Sequence, residues 1–284
     1  MSENEQKYDT LVLSGGGING FYLIGALQAI MDADLHRHFS TYVGTSIGSI
    51  LGYLLAIGYT PMEIIIELYT TSCLDRLQSF NLISMINGNG ATTFTSLHEA
   101  LEKLTLKKIG RFLTLGKLRE TLGKTLICTT YNMTVCATEY LGPDNYPDLP
   151  CLTALRMSAN LPLVFDRFQY MDSYYVDGWI TDNFPILKGE EVGTRVLGLY
   201  LKIDEKSLHD DPEDGILSYI LRLLQLPIVN NTINKAALAG SKCTVIPVYC
   251  GPKSNSVDFN VKSKVRLDMF SKGYESVKSF FRSS

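Results

Sequence analysis

Nothing in this chain is long and apolar enough to span a bilayer; runs such as YLLAI and MEIIIEL fall far short of the roughly 20 residues that a helical span needs. An excess of one charge is missing too. Twenty-six Lys and Arg stand against 29 Asp and Glu, so the net charge is −3. That balance gives no global attraction to nucleic acid, and no nucleic-acid partner is expected. Six cysteines lie at 73, 128, 136, 151, 243 and 250, none in a C-x-x-C pair and most in apolar, strand-like surroundings. They read as buried free thiols of a reducing compartment. The metal-binding patterns H-E-x-x-H and the EF-hand loop do not occur, nor does an acidic run at ligand spacing, so no metal or other cofactor is expected. Repeats and low-complexity tracts are missing as well. The opening MSENEQKYDT lacks the basic-then-apolar order of a secretion signal. These absences lead us to expect a soluble cytoplasmic protein, at most peripheral to membranes.

What is present is ordinary globular chemistry: 284 residues, 45% apolar and 19% charged. We expect a polar N-terminal tail over 1–8 and one domain over 9–284. DTLVLS is a β-branched apolar run that stops at glycines, and it reads as a buried strand. A helical pattern follows through Phe21, Leu23, Ile24, Leu27, Ile30 and Met31. STYVGTS is a second strand, and the nearly all-apolar IGSILGYLLAIG is a central helix. TPMEIIIELYTTS opens with a threonine cap and a proline in the first turn. Residues 74–94 carry no clean period and read as a lid segment. Ser96 and Glu99 have capping-box spacing at the start of another helix. Strands are expected near 125–131 and 134–141, then at the start of YYVDGWITDNFPI before its glycine turn, and in RVLGLYL and CTVIPVYC, with a short helix in PDLPCLTALRMSANLPLVF that ends before a proline loop. The alternation at the start argues for an α/β fold with a largely parallel sheet. At the C-terminus, Val261, Val265, Phe270, Tyr274, Val277 and Phe281 recur near helical spacing among Lys262, Lys264, Arg266, Lys272, Lys278 and Arg282. Residues 261–282 therefore read as a basic amphipathic helix, suited either to a membrane surface or to packing on the body.

Two glycine-marked turns carry the chemistry. Gly15-Gly16-Gly17-Ile18-Asn19-Gly20 satisfies G-x-G-x-x-G between a strand and a helix, but the next strand ends in YVGTS without the acidic residue a dinucleotide site needs. The other use of such a loop is to leave backbone N–H groups uncovered at a helix N-terminus for an oxyanion. Gly44-Thr45-Ser46-Ile47-Gly48 is G-x-S-x-G in strand–turn–helix context, the setting of a nucleophile elbow. A serine nucleophile needs a base. Of the four histidines, His36, His38 and His98 sit in polar helix or connection contexts, and His209 lies in the acidic SLHDDPEDG. Asp177 is placed differently, at the end of an apolar run and before a glycine.

Taken together, GGGINGFYLIGAL, GTSIGS, ALRMSANLPLVF and YVDGWITDNFPI occur in the order of four blocks of the patatin-like phospholipases, over residues 11–187, and the chain resembles that family. The resemblance implies a three-layer α/β/α fold with a largely parallel central sheet and a Ser–Asp dyad. On that reading Ser46 is the nucleophile, with Gly44 and Gly48 as the elbow glycines, and Asp177 is the general base. The amides of Gly15, Gly16, Gly17 and Ile18 form the oxyanion hole. The implied partner is a phospholipid, lysophospholipid or other acyl lipid. Asn19 departs from the family, which commonly has Arg or Lys there, and Trp179 stands where a small residue is usual, either lining the acyl site or packing. Two other readings use the same chain: a catalytically weak lipid-binding or regulatory protein, supported by Asn19, and a Ser-His-Asp esterase using His209.

Overall fold

The computed structural model describes residues 7–70, 90–203, 216–251 and 261–283. Eight strands form one mixed sheet: β1 (Thr10–Leu13), β2 (Thr41–Thr45), β3 (Thr125–Asn132), β4 (Ala137–Leu141), β5 (Phe168–Tyr170), β6 (Ser173–Asp177), β7 (Val196–Lys202) and β8 (Cys243–Tyr249). Their order is β5-β6-β3-β2-β1-β7-β8, with β4 also paired to β3. β3, β2, β1, β7 and β8 run parallel, while β4, β5 and β6 join antiparallel at one end. Successive strand residues point to opposite faces. Leu11, Leu13, Tyr42, Leu126 and Cys128 belong to one apolar cluster. Val12, Val43 and Ile127 belong to another on the opposite face.

Helices cover both faces. The larger core holds α1 (Gly20–Asp32), α2 (Ile47–Ala56), α3 (Pro61–Thr70), α4 (Thr95–Ile109), α5 (Leu115–Leu122), α6 (Cys151–Ser158) and the C-terminal α9 (Ser263–Ser283). α7 (Ile186–Val192) and α8 (Ile216–Leu238) lie on the other face, where Ile186 is buried and Ala236 packs beside it. No single described helix is long and apolar enough to cross a membrane. α3 begins with a reciprocal capping box: the Thr60 amide donates to Glu63 Oε2 at 2.8 Å, and the Glu63 amide donates to Thr60 Oγ1 at 3.1 Å.

Several expectations change on contact with the structure. Tyr8, assigned to the tail, is 1% exposed and donates to Thr244 Oγ1 at 2.9 Å. α4 starts at Thr95 with Phe94 in the cap position, not at a Ser96 cap. Tertiary contacts set that start. The strap before α4 docks on the 163–166 loop, with the Ala91 amide on Leu163 O at 3.0 Å and the Phe94 amide on Asp166 Oδ1 at 3.3 Å. The rest of the expected lid, residues 74–89, lies outside the described residues. Cys136 is exposed at the β3–β4 hairpin, whereas Cys128 and Cys151 are buried free thiols and Cys250 is buried. In and just before α9 most of the expected stripe packs inward: Val277 is buried, and Val261, Phe270, Tyr274 and Phe281 lie against the core. Arg266 and Met269 are buried as well, while Val265 is 44% exposed.

Candidate active site

The register of β3 explains how two distant residues meet. Its first half pairs with β2, ending at Thr45 opposite Thr129. Its second half pairs on the same side with antiparallel β6, starting at Thr130 opposite Asp177. β4 fills the other side. The C-terminal ends of β2 and β6 therefore face each other along β3. The residue that follows Thr45 is Ser46, and Ser46 Oγ donates to Asp177 Oδ2 at 2.6 Å.

Ser46 sits on a strained turn, with φ 56° and ψ −124°. Only glycine fits around it. A Cβ on Gly44 would lie 2.5 Å from the Gly48 carbonyl carbon, and one on Gly48 would lie 2.4 Å from Leu13 O. The Ser46 amide donates to Ser158 Oγ at 3.0 Å, and Ser158 Oγ donates to Thr129 O at 2.6 Å. Ser158 has one hydroxyl proton, so Ser49 Oγ is the donor in its 2.9 Å contact with Ser158. Ser158, in the MSANLP block, thus locks the elbow to β3.

Asp177 is 1% exposed. Its Oδ1 accepts the Trp179 amide at 2.7 Å, and its own amide donates to Asn160 O at 2.9 Å. Burial pushes its carboxyl up to about 7, and the hydrogen bonds from Ser46 and Trp179 only partly offset that rise. A carboxylate so placed can take a proton from a serine hydroxyl near neutral pH. Tyr175 and Trp179 are buried, whereas Tyr174 is exposed.

The glycine loop divides. The Gly15 amide, expected among the oxyanion donors, donates instead to Asn183 O at 3.0 Å and belongs to the scaffold. Gly16, Gly17 and Ile18 make no amide hydrogen bond to another described residue, and all three line the same cavity as Ser46 and Asp177. Gly17 takes φ 54°, a region that favours glycine. Asn19 is buried on the far side of this loop.

One loop, Thr181–Asn183, ties these parts together, and sequence reasoning missed it. The Asp182 amide donates to Gly178 O at 2.8 Å behind the candidate base. Asp182 O accepts Thr45 Oγ1 at 2.7 Å at the elbow, and Asn183 O holds Gly15. The buried Asp182 carboxylate accepts Tyr140 Oη at 2.6 Å and stands 2.7 Å from Lys235 Nζ of α8. No described histidine bonds to Ser46 or Asp177, and His209 lies outside the described residues.

Residues 11–188 match the family described as patatin-like phospholipase. The chain belongs to the patatin-like phospholipase family. It is 37% identical over 185 residues to "Probable lipid hydrolase 463L" of Invertebrate iridescent virus 6, a match that covers 63% of this chain and 62% of the viral protein. A Bacillus subtilis protein, YqhO, is 30% identical over 216 residues, 69% of this chain and 72% of its own length. Among solved structures, VipD from Legionella pneumophila superposes with a TM-score of 0.58 at 18% identity, over 99% of this chain and 69% of VipD. That likeness is one of fold, and it agrees with the mostly parallel sheet flanked by helices.

In this patatin-like frame the space beside Ser46 is apolar. A cavity runs from Ser46, Asp177 and Trp179 to Leu54, Ile64 and Leu104. Ser46 to Leu54 spans eight residues along α2, roughly 12 Å. Trp179 both packs and lines: it is buried, and it borders the cavity.

Proposed function

We propose that this protein hydrolyses carboxylic esters of phospholipids or lysophospholipids through a Ser46–Asp177 dyad. The observation that carries the reading is the 2.6 Å hydrogen bond from Ser46 Oγ to the buried Asp177 carboxylate at the end of an apolar cavity. Asp177 accepts the Ser46 proton as Oγ attacks the ester carbonyl. The amides of Gly16, Gly17 and Ile18 hold the oxyanion of the tetrahedral intermediate. Its collapse expels the alcohol or lysolipid, which takes the proton from Asp177 and leaves an acyl-Ser46 ester. Water then attacks that ester and gives its proton to Asp177. Release of the fatty acid returns the proton to Ser46. The acyl chain lies along α2 between Ile50, Leu54 and Leu101.

A fluorophosphonate probe and lipid-product mass spectrometry test the reading together. Wild type is expected to label at Ser46 and to release fatty acid from phospholipid, and Ser46→Ala to do neither. Activity is expected to survive EDTA. Release of fatty acid by Ser46→Ala, or loss of activity with EDTA and its return with calcium, would overturn this mechanism. A wild type that binds lipid without labelling or turnover would favour the regulatory reading instead.

A further inference from the structure

A second space borders the first. A groove shares Phe165 with the acyl cavity, but its lining is of another kind. Arg167, Thr134 and Tyr174 line it, and Asn160 and Tyr175 form part of its wall. Arg167 carries the one formal charge among the described lining residues and makes no ion pair with another described residue. The neighbouring Arg156 is committed elsewhere. Its Nη2 donates to Asp166 Oδ1 at 3.0 Å, and its guanidinium stacks 4.3 Å from the Phe94 ring centroid and 5.1 Å from that of Phe168. Asn160 is 3% exposed, and its Nδ2 donates to Tyr175 O at 2.8 Å, which fixes the amide orientation. Its Oδ1 is buried with no hydrogen-bond partner among the described residues. The backbone carbonyl of the same residue holds the Asp177 amide, so the groove reaches the segment that carries the candidate base.

We propose that this groove receives the headgroup of the phospholipid whose ester lies at Ser46, with Arg167 paired to its phosphodiester. The inference rests on the hydrolase reading and adds where the headgroup sits and which residue meets it. A phosphodiester carries one negative charge, and a guanidinium fork matches its two oxygens. Phe165 separates the two chemistries, with alkyl chain on one side and charged headgroup on the other.

The test compares two substrates that differ only in the headgroup: monomeric dihexanoyl phosphatidylcholine and dihexanoylglycerol. We expect wild type to prefer the phospholipid. Arg167→Gln is expected to lower the ratio of the two kcat/KM values about tenfold, through KM, and Arg167→Lys to keep most of the ratio. Arg167 is exposed, so neither change threatens folding. An unchanged ratio in Arg167→Gln, or a wild type that cleaves diacylglycerol and spares the phospholipid, would overturn the headgroup site while leaving a lipid hydrolase in place. A wild type that cleaves neither substrate, indistinguishable from Ser46→Ala, would remove the hydrolase reading and this inference with it.

Discussion

To serve as the proposed base Asp177 must ionise, and its burial makes ionisation costly. An unfolded aspartate titrates near 3.8, whereas burial pushes this one up to about 7. The neutral carboxyl therefore contributes stability that is complete below the unfolded value and is lost as pH rises through about 7. Activity runs the other way. The acid limb of kcat/KM is expected to rise with pH to half its plateau near pH 7, because only the carboxylate accepts the Ser46 proton. Asp177→Asn keeps the shape and removes the ionisation. It should abolish turnover, yet unfold at a higher temperature than wild type at pH 8. The stability gain, on the order of 4 kcal/mol at most, should shrink toward pH 4. Thermal melts across this pH range check the sign. A variant less stable than wild type at pH 8, or an acid limb centred near pH 4, would contradict the account.

Among the elements, those that build the site were readable from local pattern, and those that brace it were not. β1, β2 and their glycine turns announce themselves because a buried parallel strand is a β-branched run cut off by turn residues. Asp177 was found for the same reason: it ends β6. α8 was not assigned, since Pro227 inside it breaks the usual helix signal. β5 is three residues long, too short for any period to show. The brace formed by Lys235 on α8 and Asp182 joins residues that no local spacing relates, and it holds the loop that ties elbow, base and glycine turn. Lys235→Met keeps the aliphatic stem and removes the charge. Leaving a buried carboxylate unpaired costs about 3–5 kcal/mol. Lys235 is 20% exposed, so a loss of about 2 kcal/mol is the fitting expectation. Because the loop positions the proposed dyad, kcat should drop roughly ten- to a hundredfold with KM little changed, and Lys235→Arg should restore part of it. A variant that loses stability but keeps kcat would limit the pair to a structural role.

At the scale of the whole molecule, the C-terminal helix shows how composition misleads when the partner is unknown. Its basic and apolar residues alone fit a membrane surface or a protein surface equally well. The structure spends much of the apolar face inward. α9 lies against α1 so closely that a Cβ on Gly25 would sit 1.9 Å from Phe270 O, and one on Gly273 1.9 Å from Tyr22 O. Met269 and Val277 are buried there, and Arg266 Nε donates to Val261 O at 2.7 Å. α1 in turn continues directly from the glycine loop that carries the candidate oxyanion amides. Removing everything after Asn260 would therefore uncover the outer face of α1 and unseat the loop at its start. The truncated chain is expected to lose cooperative unfolding and Ser46 labelling together. Gly273→Ala, which forces the two helices apart, should lower stability by about 1–3 kcal/mol and slow labelling in the full chain. A truncated protein that melts cooperatively and labels at the wild-type rate would show that α9 is an appendage, and its basic face would then be free to serve a membrane alone.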